Sequence, residues 1–340
     1  MTRGVASRRH GATGERGSSL ERRPAAARWV GSLSALLLPG IAGSLVLYRR
    51  DLGAARRRLA RLQTATCASE YGRIEYRLVG HGPTLLISHG ITGGVDQADS
   101  LAGEWQQLPV GCRLLEASRF GYLRSDAPDG ATARLQADAY RTLLERLGIE
   151  RVILVGNSAG GAAAIWFAID FPERTDGLIL LSSAVPGPMP KPIPKLVAEH
   201  DFVYWAAVKL VPDMLLGLLL PDPVRAALTK EQRAFAIEHA FMAALPISQR
   251  ARGIALDYAD SNPVMNEIPF EQIAAPTLIV QSSDDPRELA GAEAIARRTP
   301  DARLLTFTGG HFLLGHEQQI RTAIAEFVEE HTQRYAKEAR

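Results

Sequence analysis

The chain has 340 residues, enough for one catalytic domain with additions, and a formal net charge of +2 that gives nucleic acid no electrostatic attraction. We therefore expect no nucleic-acid partner. Two cysteines are too few for a disulfide framework, and the sequence has neither a CxxC nor an HExxH pattern, so no metal site is predicted. Arginine is concentrated before residue 62, whereas acidic residues are spread along the remainder.

The N-terminal part contains a basic and then an apolar segment. Residues 1–28 are rich in Arg, Gly, Ser and Ala without apolar periodicity, which predicts a disordered basic tail. Residues 29–48 carry no charged side chain, and as a helix they reach about 30 Å, the thickness of a bilayer's hydrocarbon core. Trp29 and Tyr48 stand at its ends, where aromatic rings favour the membrane interface. The segment predicts a single-pass transmembrane helix with membrane lipid as its partner; a cleaved signal peptide and a buried soluble helix are the alternatives.

Residues 49–69 are predicted to form a basic linker. Arginines on the two sides of the apolar segment nearly balance, so the side of the membrane stays open, leaning slightly toward a cytoplasmic catalytic body. Apolar side chains repeat here at helical spacing, at Leu52, Ala55, Leu59 and Leu62. Such a helix either lies on an anionic membrane surface or is a solvated connection.

From residue 70 the pattern alternates between strands and helices. The predicted strands are 74–78, 84–88, 112–117, 151–155, 177–182, 277–281 and 303–307. The predicted helices are 131–147, 158–171, 287–298 and 316–332. This alternation predicts an α/β fold, with a mostly parallel sheet covered by helices on both faces, formed by residues 70–184 and 275–335. Residues 185–274 interrupt it with five spaced prolines and then apolar helical stretches, which predicts an inserted helical lid.

The strongest chemical motif follows the predicted strand 151–155. It reads Gly-Asn-Ser158-Ala-Gly, a G-x-S-x-G pattern between a strand and a helix. A sharp turn there lifts the Ser158 hydroxyl above the sheet, and side chains at 156 or 160 would collide with neighbouring backbone. A dinucleotide-binding turn would need glycine at Ser158, and the Gly-Lys-Ser/Thr ending of a P-loop is absent. We predict that Ser158 is a nucleophile.

A serine nucleophile needs a base, and the base needs a carboxylate. His311 lies on a glycine-containing loop after the last predicted strand and is the predicted base, with His316 as the alternative. Asp284 and Asp285 follow the penultimate strand and are the candidate acids. Asp285 also precedes a proline, so it is equally a candidate for the N-cap of the next helix.

The loop after strand 84–88 is the candidate oxyanion hole. Its sequence, His89-Gly-Ile91-Thr-Gly-Gly, places glycines where a backbone must approach a substrate. The backbone N–H groups of Ile91 and Ala159 are predicted to bind the developing oxyanion, and removing one such donor typically costs about 3 kcal/mol. His89 is expected to brace this loop rather than act as a second base.

These motifs resemble the α/β-hydrolase superfamily, in the branch of monoglyceride-lipase-like esterases and meta-cleavage C–C hydrolases. The matching pieces are His89-Gly90, Ser118 to Asp126, Gly156 to Gly160, Asp284-Asp285-Pro286 and Gly310-His311. The order of nucleophile, acid and base along the chain is also that of this superfamily. In it the acid is usually the aspartate three residues after a glycine that ends the strand. Ser282 takes the place of that glycine, so the resemblance implies Asp285, with Asp284 as the alternative.

The resemblance also implies a function and a location. It implies a carboxylesterase- or lipase-like serine hydrolase that cleaves an ester, or a related acyl bond, through an acyl-enzyme, with no cofactor. The apolar lid and the predicted membrane tether favour a lipophilic small molecule as the substrate. The alternatives are the same triad used for acyl transfer, C–C bond hydrolysis or cofactor-free peroxidation, and a ligand-binding protein without catalysis. With the apolar N-terminal segment, the chain resembles bacterial membrane-anchored α/β hydrolases, which implies attachment to the inner membrane.

Overall fold

The computed structural model describes residues 25–103, 105–188 and 192–338, and the chain separates into two units, 1–49 and 50–340. Helix α1 (Ala25–Arg61) contains the predicted segment 29–48. Among the described residues, no helix is long and apolar enough to cross a membrane. The membrane anchor therefore stays a prediction, since the side chains of residues 29–41 lie outside the described part. Of the tail predicted over residues 1–28, residues 1–24 lie outside the described part, whereas residues 25–28 belong to α1, so the prediction is wrong there.

An eight-stranded sheet forms the centre of the described part of residues 50–340, in the order β1-β2-β4-β3-β5-β6-β7-β8. The strands are β1 (Ala65–Ser69), β2 (Gly72–Val79), β3 (Thr84–Ser88), β4 (Arg113–Ala117), β5 (Val152–Asn157), β6 (Thr175–Leu181), β7 (Thr277–Ser282) and β8 (Ala302–Phe307). The pairs β1–β2 and β2–β4 are antiparallel and all the others are parallel, so the predicted mostly parallel sheet is confirmed. Strand β1 lies at the C-terminal end of residues 49–69, so the prediction of a linker is wrong for Ala65–Ser69.

The helices fall into those that cover the sheet and those of the insertion. The helices outside the insertion are α1, α2 (Gln97–Ala102), α3 (Ala133–Leu147), α4 (Gly161–Asp170), α11 (Pro286–Arg298) and α12 (Glu317–Glu338). Helix α3 begins where the Thr132 side chain accepts a hydrogen bond from the Leu135 N–H, and it ends at Gly148, which has φ 63°. Gly148 thus forms the predicted C-cap.

Strand β5 shows how the sheet is covered on both faces. Leu154 is fully buried in the cluster that contains Leu143 of α3 and Ile165 of α4. The neighbouring Ile153 points the other way and belongs to the cluster that contains Ile320 of α12. Successive side chains of a strand point to opposite faces, so a continuous apolar run such as Val152 to Val155 requires both faces to be buried.

The insertion between β6 and β7 is helical, as predicted for residues 185–274. It contains α5 (Lys195–Glu199), α6 (Asp201–Leu210), α7 (Pro212–Leu216), α8 (Asp222–Ala227), α9 (Lys230–Ala236) and α10 (Ala251–Leu256). Its last part is held to the core by a buried ion pair: Arg119, after β4, donates to both carboxylate oxygens of Asp257 at 2.5 and 2.7 Å. Tyr122 donates to the same carboxylate at 2.5 Å.

The C-terminal part of α1 packs against the folded body rather than lying free as a linker. Leu52 and Ala55 are each only 8% exposed. Asp51 accepts a hydrogen bond from the Trp205 indole at 3.1 Å and pairs with Lys209 at 3.3 Å, both on α6. The helical spacing of the apolar residues therefore marks a face buried against protein, which corrects the expectation of a membrane-surface or solvated helix.

Candidate active site

Ser158 occupies a sharp turn directly after β5. Its backbone has φ 49°, in the left-handed region that residues other than glycine rarely adopt. A Cβ atom on Gly160 would lie 2.0 Å from the Ser88 carbonyl oxygen, and one on Gly156 would lie 2.7 Å from the Cα of Gly161. Because these neighbours are backbone atoms that cannot move aside, both glycines are sterically required. The predicted elbow is present.

The structure brings His311 to Ser158. His311 Nε2 lies 3.2 Å from Ser158 Oγ, although the residues are 153 positions apart in the chain. The loop after β8 makes this approach possible because Gly309 and Gly310 have φ values of 97° and 63°. His316, the alternative base, instead has its Nε2 2.9 Å from the Thr308 hydroxyl. A base within hydrogen-bond reach is what activates a serine hydroxyl.

The two candidate aspartates have other partners. Asp285 is the N-cap of α11: it accepts from the Arg287 backbone N–H at 2.9 Å and pairs with the Arg287 guanidinium at 2.8 Å. Arg287 holds the pKa of Asp285 below its ordinary value. Asp284 Oδ2 accepts from the backbone N–H of Gly310 at 2.8 Å. The structure therefore does not bring Asp285 to the imidazole. Asp285 is instead the N-cap of α11, the alternative role that the sequence allowed.

A different carboxylate faces the imidazole. Glu288 Oε1 lies 3.6 Å from His311 Nδ1, and Glu288 Oε2 accepts a hydrogen bond from Gln281 Nε2 at 3.0 Å. The sequence reasoning missed Glu288, although a signal was present. Pro286 marks the first position of a helix, so Glu288 lies on that helix's first turn, beside the end of β7.

The loop after β3 packs directly against the serine. Parallel pairing places Ser88 opposite Gly156, so β3 and β5 end side by side. A Cβ atom on Gly90 would lie only 3.0 Å from the Ser158 Cβ. The side-chain oxygen Oε1 of Gln97 accepts hydrogen bonds from the Gly90 backbone N–H at 2.6 Å and from the Asn157 side-chain Nδ2 at 2.9 Å, so Gln97 connects the loop to the elbow. Gln97 carries no motif and was not predicted.

His89 braces this loop, as the sequence predicts. Its Nε2 accepts from the Arg119 N–H at 2.9 Å, so Nδ1 carries the ring proton and donates to the Gly90 carbonyl oxygen at 2.8 Å. The ring is 1% exposed, and this burial, with the nearby Arg119, holds the pKa of His89 well below 6.5. His89 is therefore a neutral structural residue away from the proton transfer.

Ser158 and His311 open into a cavity of about 1290 Å³, which Ile91 and Ala159 also line. Much of its wall is apolar and comes from the loop after β6 and from the insertion: Val185, Ile193, Val197, Leu215, Leu219 and Phe241. Asp51, Ala55 and Arg58 of α1 line it as well. The cavity is larger than a typical small-molecule site of roughly 300–1,000 Å³.

Comparison with known proteins agrees with this geometry. Residues 83–317 match the family described as alpha/beta hydrolase fold. The chain is 34% identical over 148 residues to a 2-hydroxy-6-oxo-6-phenylhexa-2,4-dienoate hydrolase of Comamonas testosteroni, covering 38% of this chain and 49% of that protein. It is 36% identical over 112 residues to an uncharacterized protein of Mycobacterium tuberculosis, covering 33% of this chain and 32% of that protein. The chain thus spans between a third and a half of the length of these relatives.

The fold also recurs in solved structures. The enol-lactonase of Burkholderia xenovorans LB400 superposes with a TM-score of 0.60 at 16% identity, over 78% of this chain and 99% of that one. At this identity the likeness shows the shared fold alone. The family match covers more than half of the residues and includes the elbow, the loop after β3 and the His311 loop. The chain belongs to the α/β-hydrolase fold family.

Proposed function

We propose that the chain is a serine hydrolase that cleaves a carboxylic ester, or a related acyl bond, of a lipophilic small molecule. The observation that carries this proposal is the 3.2 Å separation between Ser158 Oγ and His311 Nε2 at the head of a strained turn. A strained backbone persists only where the surrounding structure holds it, and such positions concentrate at active sites.

The proposed reaction has two halves. Ser158 Oγ attacks the acyl carbon while its proton moves to His311 Nε2, and the N–H groups of Ile91 and Ala159 stabilise the tetrahedral oxyanion. The intermediate collapses when the leaving alcohol takes the proton from His311. Water then attacks the acyl-enzyme with the same imidazole as base, which releases the acid and regenerates Ser158.

The cavity supports the choice of a lipophilic substrate. Its wall includes aliphatic and aromatic side chains of the insertion, such as Leu215 and Phe241, which are 8% exposed each. Burial of apolar surface is worth roughly 25 cal/mol per Å², so such a wall favours an extended apolar chain over a polar substrate.

A panel of p-nitrophenyl esters, from acetate to palmitate, tests this proposal. We expect hydrolysis that improves with chain length, covalent labelling by a fluorophosphonate probe, and in Ser158→Ala a loss of kcat/KM of at least about 10⁴-fold. Ser248, exposed on the insertion, supplies the matched control, and Ser248→Ala should keep full activity. A native chain that neither labels nor hydrolyses any ester contradicts the proposal and favours a ligand-binding protein without catalysis.

C–C bond hydrolysis is the second candidate, and the name of the Comamonas testosteroni relative favours it. The two functions share the serine and the histidine but differ in the bond that breaks. Incubation with 2-hydroxy-6-oxo-6-phenylhexa-2,4-dienoate, followed by product analysis, separates them: turnover of this substrate without ester turnover supports C–C hydrolysis. Adding an alcohol or a peroxide to the ester assay in turn detects acyl transfer or cofactor-free peroxidation.

A further inference from the structure

We propose that Glu288 is the residue that positions the His311 imidazole and stabilises its protonated form. This inference rests on the proposed serine hydrolase function and names the acid of that site. It departs from the aspartate that the sequence motif implies, at Asp285.

The first argument is the placement of groups around the ring. Nε2 of His311 faces Ser158 Oγ at 3.2 Å, and Nδ1, on the other side of the ring, faces Glu288 Oε1 at 3.6 Å. Nucleophile and carboxylate thus lie at the two nitrogens of one imidazole, the arrangement that a base of this kind needs. The carboxylate is within ion-pair distance of the ring nitrogen.

The second argument is that Glu288 is itself held in place. Gln281, a fully buried residue of β7, donates from its Nε2 to Glu288 Oε2 at 3.0 Å, which leaves Oε1 for the imidazole. Glu288 is the third residue of α11, on the first turn of the helix, where the helix dipole stabilises a negative charge.

The third argument is that both aspartates are committed to the backbone around the site. Asp285 caps α11 and holds Arg287, so it fixes the helix that carries Glu288. Asp284 accepts from the N–H of Gly310 and so fixes the loop that carries His311. Each aspartate thereby positions one partner of the Glu288–His311 pair without itself facing the ring.

The chemical step follows from this geometry. When Ser158 Oγ bonds to the acyl carbon, its proton passes to Nε2 and the imidazole becomes a cation. The Nδ1–H then donates to the Glu288 carboxylate, whose negative charge offsets the new positive charge on the ring. The proton on Nε2 leaves with the departing alcohol, and the ring returns to its neutral state.

Glu288→Gln in the full chain tests the proposal, with Glu293→Gln as the matched control on the exposed face of the same helix. Loss of an orienting carboxylate lowers kcat by about 10²- to 10⁴-fold, so we expect a fall in this range in Glu288→Gln with KM nearly unchanged. We also expect the acidic limb of its pH profile of kcat/KM to move to lower pH, because the proton on the ring loses its carboxylate. Glu293→Gln should match the native chain in both measurements.

Three further variants, Glu288→Asp, Asp284→Asn and Asp285→Asn, and one labelling measurement are needed to interpret the result. Glu288→Asp keeps the charge on a shorter side chain, and we expect its activity to lie between those of the native chain and Glu288→Gln; it also serves if Glu288→Gln does not fold. The proposal is overturned if Glu288→Gln keeps its activity within tenfold, or if Asp284→Asn or Asp285→Asn shows the larger loss together with the shift of the acidic limb. Absence of fluorophosphonate labelling at Ser158 in the native chain contradicts the hydrolase itself, whereas labelling with an active Glu288→Gln contradicts only the role of Glu288.

Discussion

Arg58 of α1 donates to the carboxylate of Asp96 at 2.6 Å and so joins the first helix to the loop that follows β3. The same carboxylate accepts two hydrogen bonds from the fully buried Arg250, at 2.8 and 3.1 Å. Burial alone would raise the pKa of Asp96, but Arg250 and Arg58 together lower it. A second nitrogen of Arg58 donates to the Ala243 carbonyl oxygen at 2.6 Å. One side chain thus connects α1, the candidate oxyanion loop and the insertion.

Arg58→Gln is expected to destabilise the fold by about 1–2 kcal/mol, because a charge-assisted hydrogen bond to a buried carboxylate is lost while Arg250 still pairs with Asp96. We also expect a moderate fall in kcat, since Asp96 precedes Gln97, which holds the Gly90 N–H. Urea unfolding and ester hydrolysis measure the two effects. Arg57→Gln, one position earlier and exposed, is the control. Equal stability of the two variants would contradict this role of Arg58.

Asp257→Asn is expected to destabilise the fold by about 3–5 kcal/mol, because it leaves the buried Arg119 guanidinium without its counter-charge. Asp257 is fully buried, and it accepts from both Arg119 and Tyr122. The midpoint of urea unfolding reports the loss. Asp129→Asn, at an exposed loop position, should leave that midpoint unchanged. A shift of similar size in both variants would show that the Arg119–Asp257 ion pair does not stabilise the fold more than an exposed aspartate does.

Gly160→Ala is expected to abolish activity and to destabilise the fold by about 2–4 kcal/mol, the range for overpacking or backbone displacement at a fully packed site. The added methyl would lie 2.0 Å from the Ser88 carbonyl oxygen, so β3 and the elbow must separate. Thermal unfolding and the rate of fluorophosphonate labelling test this expectation. Gly43→Ala, where no atom lies within 4 Å of the added methyl, is the control. A labelled, stable Gly160→Ala would show that the elbow tolerates this displacement.

His89 predicts a pH dependence of stability. Its pKa lies well below 6.5 in the folded chain, so below about pH 6.5 the unfolded chain binds a proton that the folded chain does not. The contribution of His89 to the free energy of unfolding is therefore fully present above that pH. It falls as the pH decreases, by up to about 1.4 kcal/mol per pH unit. Urea unfolding between pH 7 and 5 should show a steeper loss in the native chain than in His89→Gln. Parallel slopes would mean that His89 is protonated in the fold.

The sequence predicted the features that depend on local steric rules. The glycines around Ser158 and before His311 could be interpreted from the sequence because glycine fits where the backbone turns sharply or approaches other atoms closely. The structure shows close approaches at Gly156 and Gly160 and positive φ values at Gly309 and Gly310. The strands of the parallel sheet were predicted for a similar reason, since a continuous apolar run such as Val152 to Val155 needs both faces covered. Strand β1 was missed because Ala65–Ser69 is short and mostly exposed at the sheet edge, so it has no apolar pattern that burial would require.

The residues that the sequence misplaced depend on contacts between distant segments. Asp285 and Glu288 are three positions apart, and which of them faces His311 depends on where α11 begins and on how it leans against β7. Gln97 stands alone in the sequence, and only its two contacts, to Gly90 and Asn157, give it a role. The apolar spacing at Leu52 and Ala55 predicted a helix, but the expected membrane-surface or solvated setting was wrong, because the spacing alone does not say which surface covers the apolar face.

The position of α1 determines what an N-terminal deletion would remove from the cavity wall. The family match begins at residue 83, so the helix segment that contributes Asp51, Ala55 and Arg58 to the cavity wall lies before the matched region, and a chain that begins after Arg61 would lose this segment but keep β1 and β2. Its substrate site would gain a window to solvent on that side, and Asp96 would keep one arginine instead of two. Under the proposed ester hydrolysis, we expect such a shortened chain to accept bulkier esters at the expense of catalytic rate.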